Sequence, residues 1–211
     1  MTATDQPRRR GRPPSGGREA ILDATLALLR EEGVAKLTSR EVAARAGVSD
    51  ASVYYHFGDR EGLLTAAFAH GMKPLQFVGQ PGPGMGRREV LARAFASLER
   101  FFEDVLPVLH AAQADVRLGA ALAEYVAEHD LGPHKGVAAL GAYIRAEQQA
   151  GRANPAVDAD AVALILIDAA FGRASRRLML TPPARRDAGD RLPSAQQTLE
   201  LIERLLECGG S

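Results

Sequence analysis

Leu37-Thr38-Ser39-Arg40-Glu41-Val42-Ala43-Ala44-Arg45-Ala46-Gly47-Val48-Ser49, continuing through Asp50-Ala51-Ser52-Val53 to Tyr54-Tyr55-His56-Phe57-Gly58, decides the fold. Thr38 and Glu41 have the spacing of a capping box: the hydroxyl can accept from the Glu41 N–H while the Glu41 side chain reaches back to the cap. A short helix is predicted from there through Val42 and Ala43 to Ala46. Gly47 ends it, because the chain must leave through a left-handed conformation. Ser49 then caps a second helix, Asp50 to about Phe57, and Val48 is placed to staple onto Val53. Two short helices joined by Ala46-Gly47-Val48-Ser49 make a helix-turn-helix unit. Small Ala43, Ala46 and Ala51 let the helices approach closely, and the first residues of the second helix can face a major groove.

Outward from this unit the chain reads as helices throughout. Upstream, apolar residues at Ile21, Ala24, Leu28 and Leu29 have helical spacing, and Gly33 closes that run. Downstream, Asp59 caps a helix whose inner face is Leu63, Leu64, Ala67, Phe68 and Gly71 or Met72. Gly79-Gln80-Pro81-Gly82-Pro83-Gly84 excludes regular structure. Further helices are predicted over 87–109, 111–130, 134–150, Pro155–Leu180 and Ser194–Cys208, with a polar loop over 181–193. No stretch alternates with period two, so no sheet is expected. The expected fold is all-α, with three parts. Residues 1–16, rich in Pro, Gly and Arg, form a disordered basic arm. Residues 17–72 form a helix-turn-helix domain, and 73–211 a second helical domain.

Composition excludes several function classes. The 211 residues are 46% apolar and 25% charged, ordinary for a soluble globular protein. A single cysteine, Cys208, rules out an intramolecular disulfide and fits a reducing cytoplasm. The longest apolar run, Ala161 to Ile167, is too short for a bilayer that needs roughly 20 residues. No apolar stretch follows the basic N-terminus, so no secretory signal is expected. All but Lys36, Lys73 and Lys135 of the 26 basic residues are arginine, which reads as the composition of a GC-rich genome. The formal net charge is zero, but residues 1–18 hold five arginines (Arg8, Arg9, Arg10, Arg12, Arg18) against Asp5, a local net of +4. For phosphate binding such an arm outweighs the global sum.

The stretch from Leu37 to Ser49, with Val53-Tyr54-Tyr55-His56-Phe57 and Leu63-Leu64, resembles the DNA-binding domain of TetR-family transcriptional regulators over about residues 18–72. The resemblance implies a DNA-binding regulator and not an enzyme, with roles at matching positions. Thr38 and Ser39 would meet phosphate at a helix N-terminus. Arg40 would point toward the groove. Asp50, Ala51 and Ser52 would lie nearest the base edges, with Ser49 opening the helix among the DNA-binding candidates, and Asp50 would either accept from a cytosine amino group or cap its helix. Tyr54, Tyr55 and His56 would pack on the sugar-phosphate backbone or thymine methyls, and Arg60 stands where a phosphate-binding lysine is common. Arg10-Gly11-Arg12-Pro13 resembles the core of an AT-hook, with Arg10 and Arg12 in a narrow minor groove. The plainer alternatives are an ordinary capped helix, half-buried tyrosines and a solvated basic tail.

The family also implies a small-molecule pocket within residues 87–177, for which Phe95, Leu98, Phe102, Tyr125, Tyr143 and Phe171 are wall candidates. Each could equally be core. Two reading heads related by a two-fold axis require a homodimer. Seam candidates are Ala169, Ala170 and Gly172, with Leu199, Ile202, Leu205 and Leu206; the alternative is that both stripes cover their own core. Asp168, within the most apolar helix, is expected to pair with an arginine across the seam or to line a cavity. His56, His70, His110, His129 and His134 are scattered without metal-ligand spacing. No nucleophile elbow, phosphate loop or carboxylate pair suggests an enzyme. The expected partners are therefore double-stranded operator DNA, a second copy and a small-molecule effector, with no cofactor, metal or membrane.

Overall fold

In the computed structural model, which describes residues 14–180 and 192–208, every regular element among the described residues is helical. The order is α1 (Pro14–Glu32), α2 (Ser39–Ala46), α3 (Asp50–Phe57), α4 (Arg60–Gly71), α5 (Arg87–Ala114), α6 (Val116–Glu128), α7 (Pro133–Gln149), α8 (Ala159–Met179) and α9 (Ala195–Leu206). Short 3-10 segments lie at Val34–Lys36 and Lys73–Phe77. No described helix is long and apolar enough to cross a membrane.

Two apolar cores form. The first gathers Ile21, Leu22 and Leu29 of α1, Val42 of α2, Val53 of α3 and Leu64 and Phe68 of α4. It also takes Val105, Val108 and Ala111 from α5 and Leu118 and Leu122 from α6. The second is built from Val90, Leu91, Phe95 and Leu98 of α5 with Leu140 and Ile144 of α7, Leu166 and Ala170 of α8, and Ile202 and Leu206 of α9. Helix α5 therefore serves both, its C-terminal half under the helix-turn-helix and its N-terminal half in the second domain.

Local chemistry sets the boundaries. Glu41 N–H donates to Thr38 Oγ1 at 3.1 Å, although the Glu41 side chain makes no reciprocal bond. Ser194 and Gln197 form a complete capping box at the start of α9. Three expectations change. Helix α1 starts at Pro14, so residues 14–16 belong to it and not to the arm. Helix α5 runs through Pro107 to Ala114, past the expected end near 109. Helix α8 begins only at Ala159, because Asp158 accepts from the Asp160 and Ala161 N–H groups and caps it there. The remainder of the arm, with Arg10 and Arg12, and most of the 181–193 loop lie outside the described residues.

Candidate nucleic-acid interface and the cavity behind it

The turn between α2 and α3 has the expected geometry. Gly47 sits at φ 68°, ψ 32°, the left-handed region where a side chain is disfavoured. Ser49 Oγ accepts from the Ser52 N–H at 3.3 Å and lies 2.8 Å from Ser52 Oγ. Ser49 is thus the cap of α3, and Asp50 is its first residue, exposed. Val42, Ala43 and Val53 are buried and Val48 packs on the same core. Burying those four turns the opposite edge of α3 outward, leaving Tyr54 55% and Tyr55 86% exposed. Two large exposed aromatics side by side on one short helix are the kind of patch that marks an interaction site.

Several expected residues come together on this edge. The Ser39 hydroxyl donates to Tyr54 Oη at 3.3 Å, tying the start of α2 to the middle of α3. Thr38, Ser39, Tyr54 and Arg60 line one groove with Leu37 and Asp59. Arg40, Asp50 and Ala51 are exposed and Ser52 is half-buried. Arg40 makes no ion pair among the described residues, whereas Arg45 is held back on Glu31. His56 departs from expectation. It is half-buried, its ring 5.2 Å from Tyr55 and 6.0 Å from Phe57, and its Nε2 lies toward Gly17 of α1. It thus lies on the α1 side of α3, apart from Tyr54 and Ser39.

Sequence reading missed how the head is tied to the second domain. Arg60 lies 3.7 Å from Asp115 at the α5–α6 elbow, and Arg117 of α6 lies 3.0 Å from Glu61 of α4. Arg30 of α1 pairs with Asp104 of α5. Burial pushes the Asp104 carboxyl above its usual range, and Arg30 opposes that shift. The partners are remote in sequence, so no local signal marks them.

Behind the head, between the two cores, lies a cavity of about 630 Å3. Phe68 of α4, Leu98, Phe101 and Phe102 of α5, Val126 of α6 and Ile167 of α8 supply its walls. Of the six expected wall residues, only Leu98 and Phe102 line it. Phe95, 1% exposed, faces the second core. Tyr125 turns toward the first, edge-on to Phe68 at 6.1 Å and stacked on His129 at 4.1 Å. Tyr143 lines a separate cleft with Arg87, Glu147 and Arg152, and burial pushes its hydroxyl up to about 12. Phe171 points outward, touching Phe102 edge-on at 5.3 Å.

The seam candidates also need correction. Ala170, Ile202 and Leu206 are buried in their own chain's core, and Leu199 packs against it. Ala169 and Gly172 are half-buried. Of the expected set only Leu205 is exposed. The uncovered apolar stripes are Leu164, Ile165 and Phe171 on α8 and Leu201 and Leu205 on α9. Leu164 and Phe171 are two helical turns apart and Leu201 and Leu205 one, with Ile165 beside Leu164, so each set lies on a face turned away from the core. Asp168 lies on the α8 stripe, exposed, without an ion-pair partner among the described residues and away from the cavity walls. No group of three metal-binding side chains occurs among the described residues.

Residues 21–67 match the model of bacterial regulatory proteins of the tetR family. A BetI transcriptional regulator of the helix-turn-helix type from Burkholderia ambifaria is 32% identical over 87 residues, 41% of this chain and 45% of that protein. The BetI of Paraburkholderia xenovorans is 40% identical over 58 residues, 28% of this chain and 30% of that one. The chain thus spans less than half the length of these curated relatives. A TetR transcription regulator from Haloarcula marismortui superposes with a TM-score of 0.61 at 23% identity, over 92% of this chain and 100% of that one. This last comparison carries the fold across both domains.

Proposed function

We propose, from the match of residues 21–67 to the model of bacterial regulatory proteins of the tetR family, that the chain is a dimeric transcriptional repressor released from its operator by a small molecule. The observation that carries the reading is the outward edge of α3, where Tyr54 and Tyr55 stand uncovered beside the N-terminus of α2. The free N–H groups there favour a DNA phosphate at Thr38 and Ser39. Arg40, Asp50, Ala51 and Ser52 are then the residues that reach base edges, and the arm with Arg10 and Arg12 adds phosphate or minor-groove contacts. The α8 and α9 stripes form the seam of a homodimer, with the heads about 34–36 Å apart or a multiple of that, to meet successive major grooves of a pseudo-palindrome. The cavity supports the effector half of the reading: it lies between the core that seats the head and the core that bears the seam. A ligand there shifts the spacing of the heads only by its difference in affinity for the two arrangements. The protein would act in the cytoplasm, on DNA.

Fluorescence anisotropy on DNA upstream of the protein's own gene tests the assignment. Tyr54→Ala and Arg40→Ala should each weaken specific binding by about 1–3 kcal/mol, the scale of one good base or backbone contact. Unaltered affinity in both variants would remove α3 as the reading helix. Binding that no effector weakens would favour a constitutive regulator.

A further inference from the structure

The cavity behind the reading head has a definite polarity. Rings of Phe68, Phe101 and Phe102 and the side chains of Leu98, Val126 and Ile167 form its interior, and among the described residues no acid, arginine or histidine lines it. A charged ligand group set against those walls would lose its hydration without gaining a partner. Gln76, Gln80 and Lys135 are polar lining residues, and all three are exposed, which puts them at its mouth. Gln80 donates its amide N–H to the Gln76 carbonyl at 3.1 Å. Lys135 is the one charged residue in the described lining.

Asp130, in the turn between α6 and α7, already holds the Lys135 ammonium. The Lys135 contact draws the Asp130 carboxyl below its usual range. Asp130 has φ 49°, the one non-glycine residue in the left-handed region among the described residues. The mouth therefore already pairs a carboxylate with Lys135, and it does so with backbone strain. Both partners are exposed, so the pair is weak and can exchange. An incoming carboxylate can replace Asp130 on Lys135, whereas a cation drawn past Asp130, which stands outside the lining, would have Lys135 beside it and no acid among the walls.

We propose that the effector is an amphiphilic monocarboxylate, its hydrophobic acyl or aromatic body among the three phenylalanine rings and its carboxylate on Lys135. This rests on the cavity being the effector site. The test is calorimetry of the full chain with three ligands each built on a straight ten-carbon chain, the carboxyl carbon counted: decanoate, decan-1-ol and decyltrimethylammonium. Decanoate should bind at least tenfold more tightly than decan-1-ol, and the cation should give no saturable heat. Lys135→Met, a change at an exposed position, should shrink the gap between acid and alcohol to under threefold. Leu98→Trp, which fills the cavity, should abolish binding of both. Decan-1-ol binding as tightly as decanoate, an undiminished gap in Lys135→Met, or no binding by any of the three would overturn the proposal. Operator release is followed in parallel by anisotropy. Decanoate that binds with the expected selectivity yet releases no DNA would uphold the ligand class and overturn the ligand-released repressor.

Discussion

Replacing Leu201 and Leu205 together by alanine separates the proposed seam from the core. The two leucines are 60% and 42% exposed in the single chain, which amounts to about one whole leucine left in water. Burying one such side chain is worth about 1.5–3 kcal/mol, and two-fold symmetry doubles the contribution to about 3–6 kcal/mol per dimer. The dimer dissociation constant should therefore rise by roughly two to four orders of magnitude. The thermal midpoint of the isolated chain should move little, because neither residue fills the core. Ile202→Ala, one position away, should do the reverse. Ile202 is 1% exposed, so its truncation should cost about 2–5 kcal/mol of folding stability with dimer affinity unaltered. Sedimentation equilibrium across a concentration series reads the first quantity and chemical denaturation the second. An unshifted dimer constant in the double variant, or a parent protein that is monomeric at micromolar concentration, would refute the placement of the seam on α8 and α9.

Removing residues 1–13 leaves α1 intact and takes away Arg8, Arg9, Arg10 and Arg12, so log K for operator binding should depend less steeply on log salt, by about 0.9 for each phosphate that the arm neutralises; an identical slope would show that the arm neutralises none. Asp115→Asn preserves the oxygen that caps α6 but removes the charge facing Arg60. It should tighten operator binding by about 0.2–1 kcal/mol, the usual worth of an exposed pair, by freeing Arg60 for phosphate; anisotropy at low salt measures this. Glu147 is held below its usual carboxyl range chiefly by the Arg152 hydrogen bond, so this contribution is present above the unfolded-state value and fades as pH falls through the folded one. The thermal midpoint of Glu147→Gln should accordingly lie below that of the parent at neutral pH, and the difference should close as the solution is acidified through the carboxyl range.

How much was legible in the sequence follows from the range of each interaction. Thr38, Gly47, Ser49 and Asp59 act within three or four residues of themselves, so the head could be read one residue after another, and the exposed edge of α3 with it. Helix α9 shows the limit. Its amphipathic stripe was visible, but Leu199, Ile202 and Leu206 suit an internal core as well as a partner's surface, and only the position of α5 and α8 decides between them. The cavity failed for the same reason: it is a gap between elements, so aromatic character alone could not separate Phe102, which lines it, from Phe95, two turns earlier and fully packed. The ties of Arg60 to Asp115 and Arg30 to Asp104 join residues that only the fold brings together.

Helix α5 belongs to both cores, and at 28 residues it is about 42 Å long. Residues Val105 to Ala111 close the base of the helix-turn-helix, while Val90 to Leu98 anchor α7, α8 and α9. Melting one end of a continuous helix strips the other core of a wall, so neither half has a separate transition to make. Heating the protein should give a single cooperative step, with calorimetric and van't Hoff enthalpies in agreement. For the same reason a fragment ending at Met72 would lose Val105, Val108 and Ala111 of α5 and Leu118 and Leu122 of α6 from the first core and should not hold its fold: the smallest autonomous form of the helix-turn-helix domain extends through α6.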